Sequence, residues 1–379
     1  MKEYPYFLCK AIEDKTIVWA ENTNEYLVLE NTTAEILEKL STGISVKEIA
    51  TNLAKEIAVP LDQTIAFILD LEKKMCTTIS TAASITNADY SAVKKPKQFE
   101  FTKYYKINNL IFKVEYATEY ELYLIHPKFA HLEVKNKHQK SFTFTVFSSN
   151  EALFLYIDDR FIGAWATKEI HFFQGKFSME LIQKIHQKEE NKWLGVFHAS
   201  AVSNGKKSIL FLGDSGNGKS TSLALLQANG FTCLADDFVP IDANKKEVYS
   251  FPAAISIKKN SLETLLPIYP ELENSAEYNF KRLNKIVRYL KPNNTDFLSH
   301  LPCKDLVFIK YEKNSSLEFD KISKIEAFQQ LVPDSWLSPI KENAQVFLDW
   351  FDALNCYQIT YSDNDKMIAS VTTILDNEI

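Results

Sequence analysis

The stretch SILFLGDSGNGKSTS, residues 208–222, constrains this 379-residue chain more than any other. The apolar run SILFL precedes Gly213-Asp214-Ser215-Gly216-Asn217-Gly218-Lys219-Ser220, which matches G-x-x-x-x-G-K-[ST] at every fixed position. Three of the chain's nine glycines sit in these eight residues. Glycine lets backbone N–H groups approach an anion with no Cβ in the way, and a helix that starts at the loop adds the positive end of its dipole. Lysine supplies a mobile cation for phosphate oxygens, and a serine hydroxyl suits Mg2+. The pattern predicts a buried strand, a phosphate-cradling loop over Gly213–Thr221 and a helix, with ATP and Mg2+ as cofactors and Ser220 on the metal. Leu223, Leu225 and Leu226 face inward on that helix, Asn229-Gly230 ends it, and FTCLA forms a strand running into Asp236-Asp237. Acids at the end of such a strand face the metal of a bound nucleotide. Two neighbouring carboxylates suit a division of labour: one holds metal, the other accepts a proton from an attacking hydroxyl.

Upstream, VFHASAV reads as one strand, and Asn204-Gly205 as the type I′ turn of a hairpin. By spacing alone His198 reads as a core histidine. The whole string, "HASAV…ILFLGDSGNGKST…GFTCLADDFVPI", resembles the HPr kinase/phosphorylase family and its HPr-kinase-related relatives. There the pattern is H-x-x-x-V, a strand, G-x-S-G-x-G-K-S, a helix ending near a glycine, and a strand ending in A-D-D. The resemblance is close over residues 198–241 and weaker to the C-terminus. It implies a P-loop α/β core and an ATP-dependent phosphotransferase, a Ser/Thr kinase of HPr-kinase-like type. It also implies that the histidine interacts with a catalytic aspartate beside Mg2+. Carried over, His198, Asp236 as general base and Lys219 are the catalytic residues, and Asp237 joins Ser220 at the metal. Two features depart from the family. Thr221 follows the loop serine where the bifunctional enzymes usually carry Glu, and residues 253–310 hold no glycine where a second, glycine-rich signature is due. The resemblance therefore supports neither phosphorylase activity nor HPr itself as substrate.

Residues 1–85 read as a separate module. TIVWA and EYLVLE form a hairpin about Asn22, Thr23 and Asn24. Three short helices follow. Asn31 or Thr32 caps the first, with Glu35 in capping-box position; Ser45 caps the second, with Glu48 three residues on; Pro60 precedes the third, at 62–76. The spaced pattern "EYLVLENTTAEILEKLSTGISVKEIATNLAKEI…FILDLEKKM" resembles a PqqD-like domain, the peptide-recognition element of ribosomal peptide-modification systems. The resemblance implies a winged-helix-type β/α module that takes a leader peptide as an added strand on its sheet edge.

Residues 86–98, with Lys94, Lys95, Pro96 and Lys97, read as a linker. Residues 99–192 alternate apolar and polar residues in KINNLIFKVEYA, ELYLIH, SFTFTVFSS, ALFLYID and RFIGAWA, so a β-rich segment is expected there, packing on or belonging to the kinase. A helix is expected over 178–193, with His186 at the surface. The domain 193–379 continues with a strand at 251–258, helix or loop over 260–291, a strand at 305–312, and strands alternating with helices to the end. Arg282, Lys285 and Arg288 read as a solvated helix face, or as cations for a transferring phosphate or an acidic substrate. The fold class is thus α/β and α+β, multidomain.

The net charge of −6 disfavours nucleic acid as a partner. The five cysteines are scattered and never form a CxxC pair, which fits a reducing cytosol. No secretion signal or membrane span is expected, and a cytoplasmic location follows. The partner is a peptide or protein substrate, such as a ribosomal peptide precursor held by the N-terminal module; the resemblance leaves homo-oligomerisation open. The alternatives are a nucleotide-gated peptide-presenting module without phosphotransfer and a small-molecule kinase.

Overall fold

The computed structural model describes residues 4–76, 93–135, 140–280 and 285–376. Arg282, His138 and most of the expected linker lie outside the described residues. Elements are numbered along the chain. Packing divides the chain into two units, Met1–Ser84 with Ile322–Ala353, and Ile85–Lys321 with Leu354–Ile379. The architecture is mixed α/β with several sheets. Among the described residues no helix is long and apolar enough to cross a membrane.

The first unit opens with an antiparallel sheet, β1 (Phe7–Ile12), β2 (Lys15–Ala20) and β3 (Glu25–Glu30), with β2 central. Three helices follow: α1 (Asn31–Ser41), α2 (Val46–Ile57) and α3 (Leu61–Cys76). Ser45 caps α2 as expected, its Oγ accepting from Glu48 N at 3.2 Å. The capping box expected at α1 does not form. Asn31 Oδ1 instead accepts from Thr16 Oγ1 (2.8 Å), and Glu35 pairs with Lys39 one turn on (2.6 Å). Two later helices belong to this unit, α8 (Lys324–Leu331) and α9 (Lys341–Asp352), flanking the short β20 (Trp336–Leu337). They thus lie outside the unit that holds most of the 193–379 domain expected from the sequence. Their aromatic faces explain the grouping: the Tyr26 ring of β3 packs edge-on against Phe347 and Phe328, with centroids 5.2 and 6.1 Å away. Lys10 pairs with Asp349 (2.9 Å), and Asn24 Nδ2 donates to Leu337 O (3.0 Å).

The second unit begins with the five-stranded sheet β4 (Phe101–Ile107), β5 (Leu110–Tyr116), β6 (Phe142–Ser149), β7 (Ala152–Ile157) and β8 (Arg160–Ala166), in chain order. β5 and β6 are parallel, which requires a crossover, and α4 (Glu119–Phe129) lies in that connection. ELYLIH is therefore helix and not strand. Thr118 and Glu121 form a full capping box there, and this local signal overrides the β-like composition. α5 (Ile170–His186) starts earlier than expected, and His186 is half-buried, edge-on to Tyr249 and Trp193.

The remainder builds a large sheet around one long strand. Its elements are β9 (Trp193–Phe197), β10 (Ser200–Ser203), β11 (Ser208–Leu212), α6 (Lys219–Ala228), β12 (Thr232–Asp236), β13 (Val239–Asp242) and β14 (Glu247–Tyr249). There follow β15 (Ile255–Lys258), α7 (Leu262–Leu265), β16 (Tyr278–Phe280), β17 (Lys285–Leu290), β18 (His300–Tyr311), β19 (Glu318–Lys321), β21 (Asn355–Tyr361) and α10 (Asn364–Asp376). The start of β18 pairs with β14, and the rest runs parallel to β11 on one side and β21 on the other. β15, β17 and β16 form a separate antiparallel sheet. Residues 285–290 are thus strand, which overturns the helical reading. Leu223 and Leu226 of α6, Phe211, Val307, Ile359 and Val371 pack one continuous core over the β11–β18–β21 face. The Asn204-Gly205 hairpin exists, but as a four-residue loop. Asn204 Oδ1 accepts from Lys206 N and Lys207 N, and of the pair only Gly205 takes a positive φ.

Burial makes the α6 contribution testable. Leu223→Ala should cost about 2–5 kcal/mol in urea unfolding, because Leu223 is fully enclosed. Leu298→Ala, at a site half open to solvent, should stay within about 0.5 kcal/mol of wild type.

Candidate functional site

The strand β11 is buried along its length and delivers the chain to the glycine loop. Gly213, Gly216 and Gly218 take φ values of +128°, +108° and +99°, a region that side chains with a Cβ rarely enter. A Cβ on Gly213 would also lie 2.8 Å from the Ile309 carbonyl oxygen of β18, whereas a Cβ on Gly216 would meet nothing within 4 Å. The first glycine seats the loop on the sheet, and the second leaves the cradle open. No side chain caps α6, so the N–H groups of its first turn point into that cradle. Lys219 folds back and donates to the carbonyl oxygens of Gly213 and Asp214. Burial pulls its pKa below the usual range.

The acid pair sits where two strands break together. β9 pairs with β13 and β10 pairs with β12, with Phe197 opposite Val239 and Ser200 opposite Asp236. VFHASAV is therefore two strands and not one. The chain leaves register at His198-Ala199, directly across from the break at Asp237, whose φ is +62°. This double break presents His198 and Asp237 at the mouth of the cleft. His198 is exposed, which corrects the reading of it as a core histidine.

The two aspartates occupy different surroundings. Asp236 is buried, 2% exposed. Its Oδ1 accepts from Ser200 Oγ (2.6 Å) and its Oδ2 from Ser256 N (3.0 Å). Ser220 Oγ lies 3.1 Å from both oxygens. Burial, reinforced by the Asp237 charge, raises the Asp236 pKa from 3.8 to about 6. Asp237 is partly exposed and takes Lys285 Nζ at 2.9 Å. Burial works against its charge, but Lys285, with His198 and Lys128 of α4 in the same field, outweighs this and holds the carboxyl well below the usual range.

One cleft has walls that include Lys219, Ser220, Asp237, His198, Lys258 and Lys285. Ser215, Gly216, Gly218 and Thr221 line it as well, whereas Gly213, Asp214, Asn217 and Asp236 do not; Asp214 is exposed and Asp236 is buried. Asp214 and Asn217 shape the loop: Asn217 N donates to Asp214 O (3.2 Å) and Asn217 O accepts from Tyr311 N (2.9 Å). Lys258 donates to Ser215 Oγ at 2.7 Å.

No sequence motif marks Lys258, Ser200 or Ser256. The sequence groups Lys285 with Arg288, but on a strand residues three apart point to opposite faces. Arg288 donates instead to the carbonyl oxygens of Leu272 and Glu273, away from the cleft. Strand periodicity over KIVRYL was the signal that separates the two.

The glycine cradle, the open helix start and Lys219 fit a polyphosphate. Among the described residues no cluster of three or more His, Cys, Asp or Glu side chains forms a metal cage. Ser220 with Asp236 fits Mg2+, which is commonly held by one or two protein groups together with phosphates and water. No family model matches the chain, and a search of curated proteins finds no match.

The raised pKa of Asp236 has a definite consequence for stability. Because folding disfavours its ionised form, the stability this group contributes is complete below about pH 4 and is lost as pH rises through about 6. Asp237 acts oppositely, and its contribution is lost only in strong acid. Asp236→Asn should therefore flatten the stability profile between pH 4 and 6, measured by urea unfolding. A difference from wild type that does not change with pH would contradict this account.

Proposed function

We propose that the chain is an ATP-dependent phosphotransferase of HPr-kinase-like type. It transfers phosphate to a Ser or Thr hydroxyl of a peptide or protein, and its PqqD-like first unit captures the peptide. The observation that carries this reading is convergence on one cleft. Lys219 and Ser220 enter from the glycine loop, and Asp237, His198 and Lys285 enter from the double strand break. A phosphate cradle alone would need no second, solvent-facing carboxylate beside a histidine.

The geometry favours exchanging the roles that the resemblance implied for the two aspartates. Asp236 is enclosed and its oxygens are taken by three donors, one of them Ser220, so it suits the metal side. Asp237 opens onto the cleft and suits the proton acceptor. Lys285 keeps Asp237 ionised at neutral pH, the form that can accept a proton; on proton uptake the carboxyl becomes neutral, and His198 lines the cleft beside it. A bound Mg2+–ATP supplies the phosphoryl group. On the protein's side, Lys219 is free to exchange its two carbonyl partners for phosphate oxygens, and Lys258 adds a second cation on the same wall. Such catalysis is mainly positioning and charge stabilisation.

In the first unit β1 and β3 are the two edges of the sheet, each paired with β2. An edge strand offers unpaired N–H and C=O groups to an extended peptide. Capture on the same chain raises the effective concentration of the acceptor.

Incubation with ATP, Mg2+ and Ser/Thr-containing peptides encoded beside the gene should yield a phosphate mass shift by mass spectrometry. Lys219→Ala should abolish it. Asp237→Asn should lower the rate by about 10²–10⁴-fold while leaving ATP affinity within a few-fold. ATP binding with no transferred phosphate on any peptide would favour the presenting module, and an unchanged rate in Asp237→Asn would remove its role as base.

A further inference from the structure

The cleft described so far flanks one side of the glycine loop. The other flank carries two tyrosines. β11, β18 and β21 are parallel, so Tyr311 and Tyr361, the last residues of β18 and β21, emerge at the same end of the sheet as the loop. Ligands of open α/β sheets sit beyond the carboxyl ends of such strands. Tyr311 N donates to Asn217 O at 2.9 Å. A Cβ on Gly218 would lie 3.4 Å from Tyr311 Cβ and 3.2 Å from Tyr361 Oη, so both tyrosines press directly against the loop.

The two rings are held differently. Tyr361 is fully buried, and its Oη hydrogen-bonds Ser222 Oγ of α6 (2.9 Å), which makes it a brace for the helix. Tyr311 packs edge-to-face on Tyr361, with centroids 5.5 Å apart and planes at 75°, yet 48% of its surface is exposed. Its backbone is fixed by the loop and its ring is oriented by Tyr361. A large apolar ring fixed beside a phosphate cradle offers a stacking face. Polarity along the loop assigns it. Asp237 and Lys285 mark the flank where the terminal phosphate belongs, so the nucleoside departs toward the opposite flank, where Tyr311 stands.

We infer that Tyr311 is the platform on which the base of the bound nucleotide stacks. The inference rests on the nucleotide-dependent reading of the glycine loop and names the residue that would distinguish a nucleotide from any other polyphosphate. Stacking on an aromatic ring needs only the π-face of the base.

Calorimetry on the full chain with Mg2+–ATP and with Mg2+–tripolyphosphate, which has no base, tests it. In Tyr311→Ala the affinity for ATP should fall roughly 10-fold or more, while that for tripolyphosphate stays within about two-fold. Tyr311→Phe, which keeps the ring, should bind both like wild type. Retained tripolyphosphate binding also shows that the loop has folded. Unchanged ATP affinity in Tyr311→Ala, or equal losses for both ligands, would overturn the inference and leave the phosphate loop standing. Failure of the wild type to bind either ligand would instead overturn the nucleotide reading beneath it.

Discussion

One buried carboxylate ties the site together. Asp236 accepts from Ser200 of β10, from Ser220 of α6 and from the Ser256 backbone of β15, three elements far apart in sequence. An ionised carboxylate buried without such donors would be strongly disfavoured. The donors therefore converge on it, and in converging they tie β10, the start of α6 and β15 to one point. Lys285 reaches the cleft only because β17 is held against β15. Ser220 and Lys258 stand on elements that this carboxylate bridges, and Lys285 on a strand paired with one of them.

The second constraint is the paired interruption of two strands. β9–β10 and β12–β13 leave register opposite one another, and the break turns Asp237 outward while Asp236 stays within the sheet. Adjacent residues thereby acquire opposite electrostatic characters. Asp236 is pushed up by burial, and Asp237 is held down by Lys285, His198 and Lys128. Environments that push neighbouring carboxylates apart are a way of giving them separate tasks.

Much of this was legible in the residues. Gly213, Gly216 and Gly218 declare the loop, because the positive φ that each takes leaves few alternatives to glycine, and the leucines of α6 declare its buried face. Ser45 and Glu48 announced the start of α2, where side chain and backbone meet within one turn. The failures share a cause. The Thr32–Glu35 box lost to Thr16, a partner on another strand that takes Asn31. ELYLIH has strand-like composition, but the Thr118–Glu121 cap and the crossover between β5 and β6 made it helix. Which aspartate faces solvent depends on a strand break that pairs residues about 40 positions apart. Local pattern carries no information about such long-range pairing. Lys258 and Tyr311 belong to the same class: each stands beside the loop through the topology of the sheets, with no motif of its own.

In the proposed mechanism Asp236 works on the metal side of the cleft and Asp237 on the acceptor side. The most direct measurement is the Mg2+ dependence of ATP affinity, by calorimetry, in Asp236→Asn and Asp237→Asn. Asp236→Asn should lose the gain in affinity that Mg2+ confers while keeping metal-free binding, and Asp237→Asn should retain that gain. Loss of the Mg2+ effect in Asp237→Asn, with Asp236→Asn behaving like wild type, would contradict it.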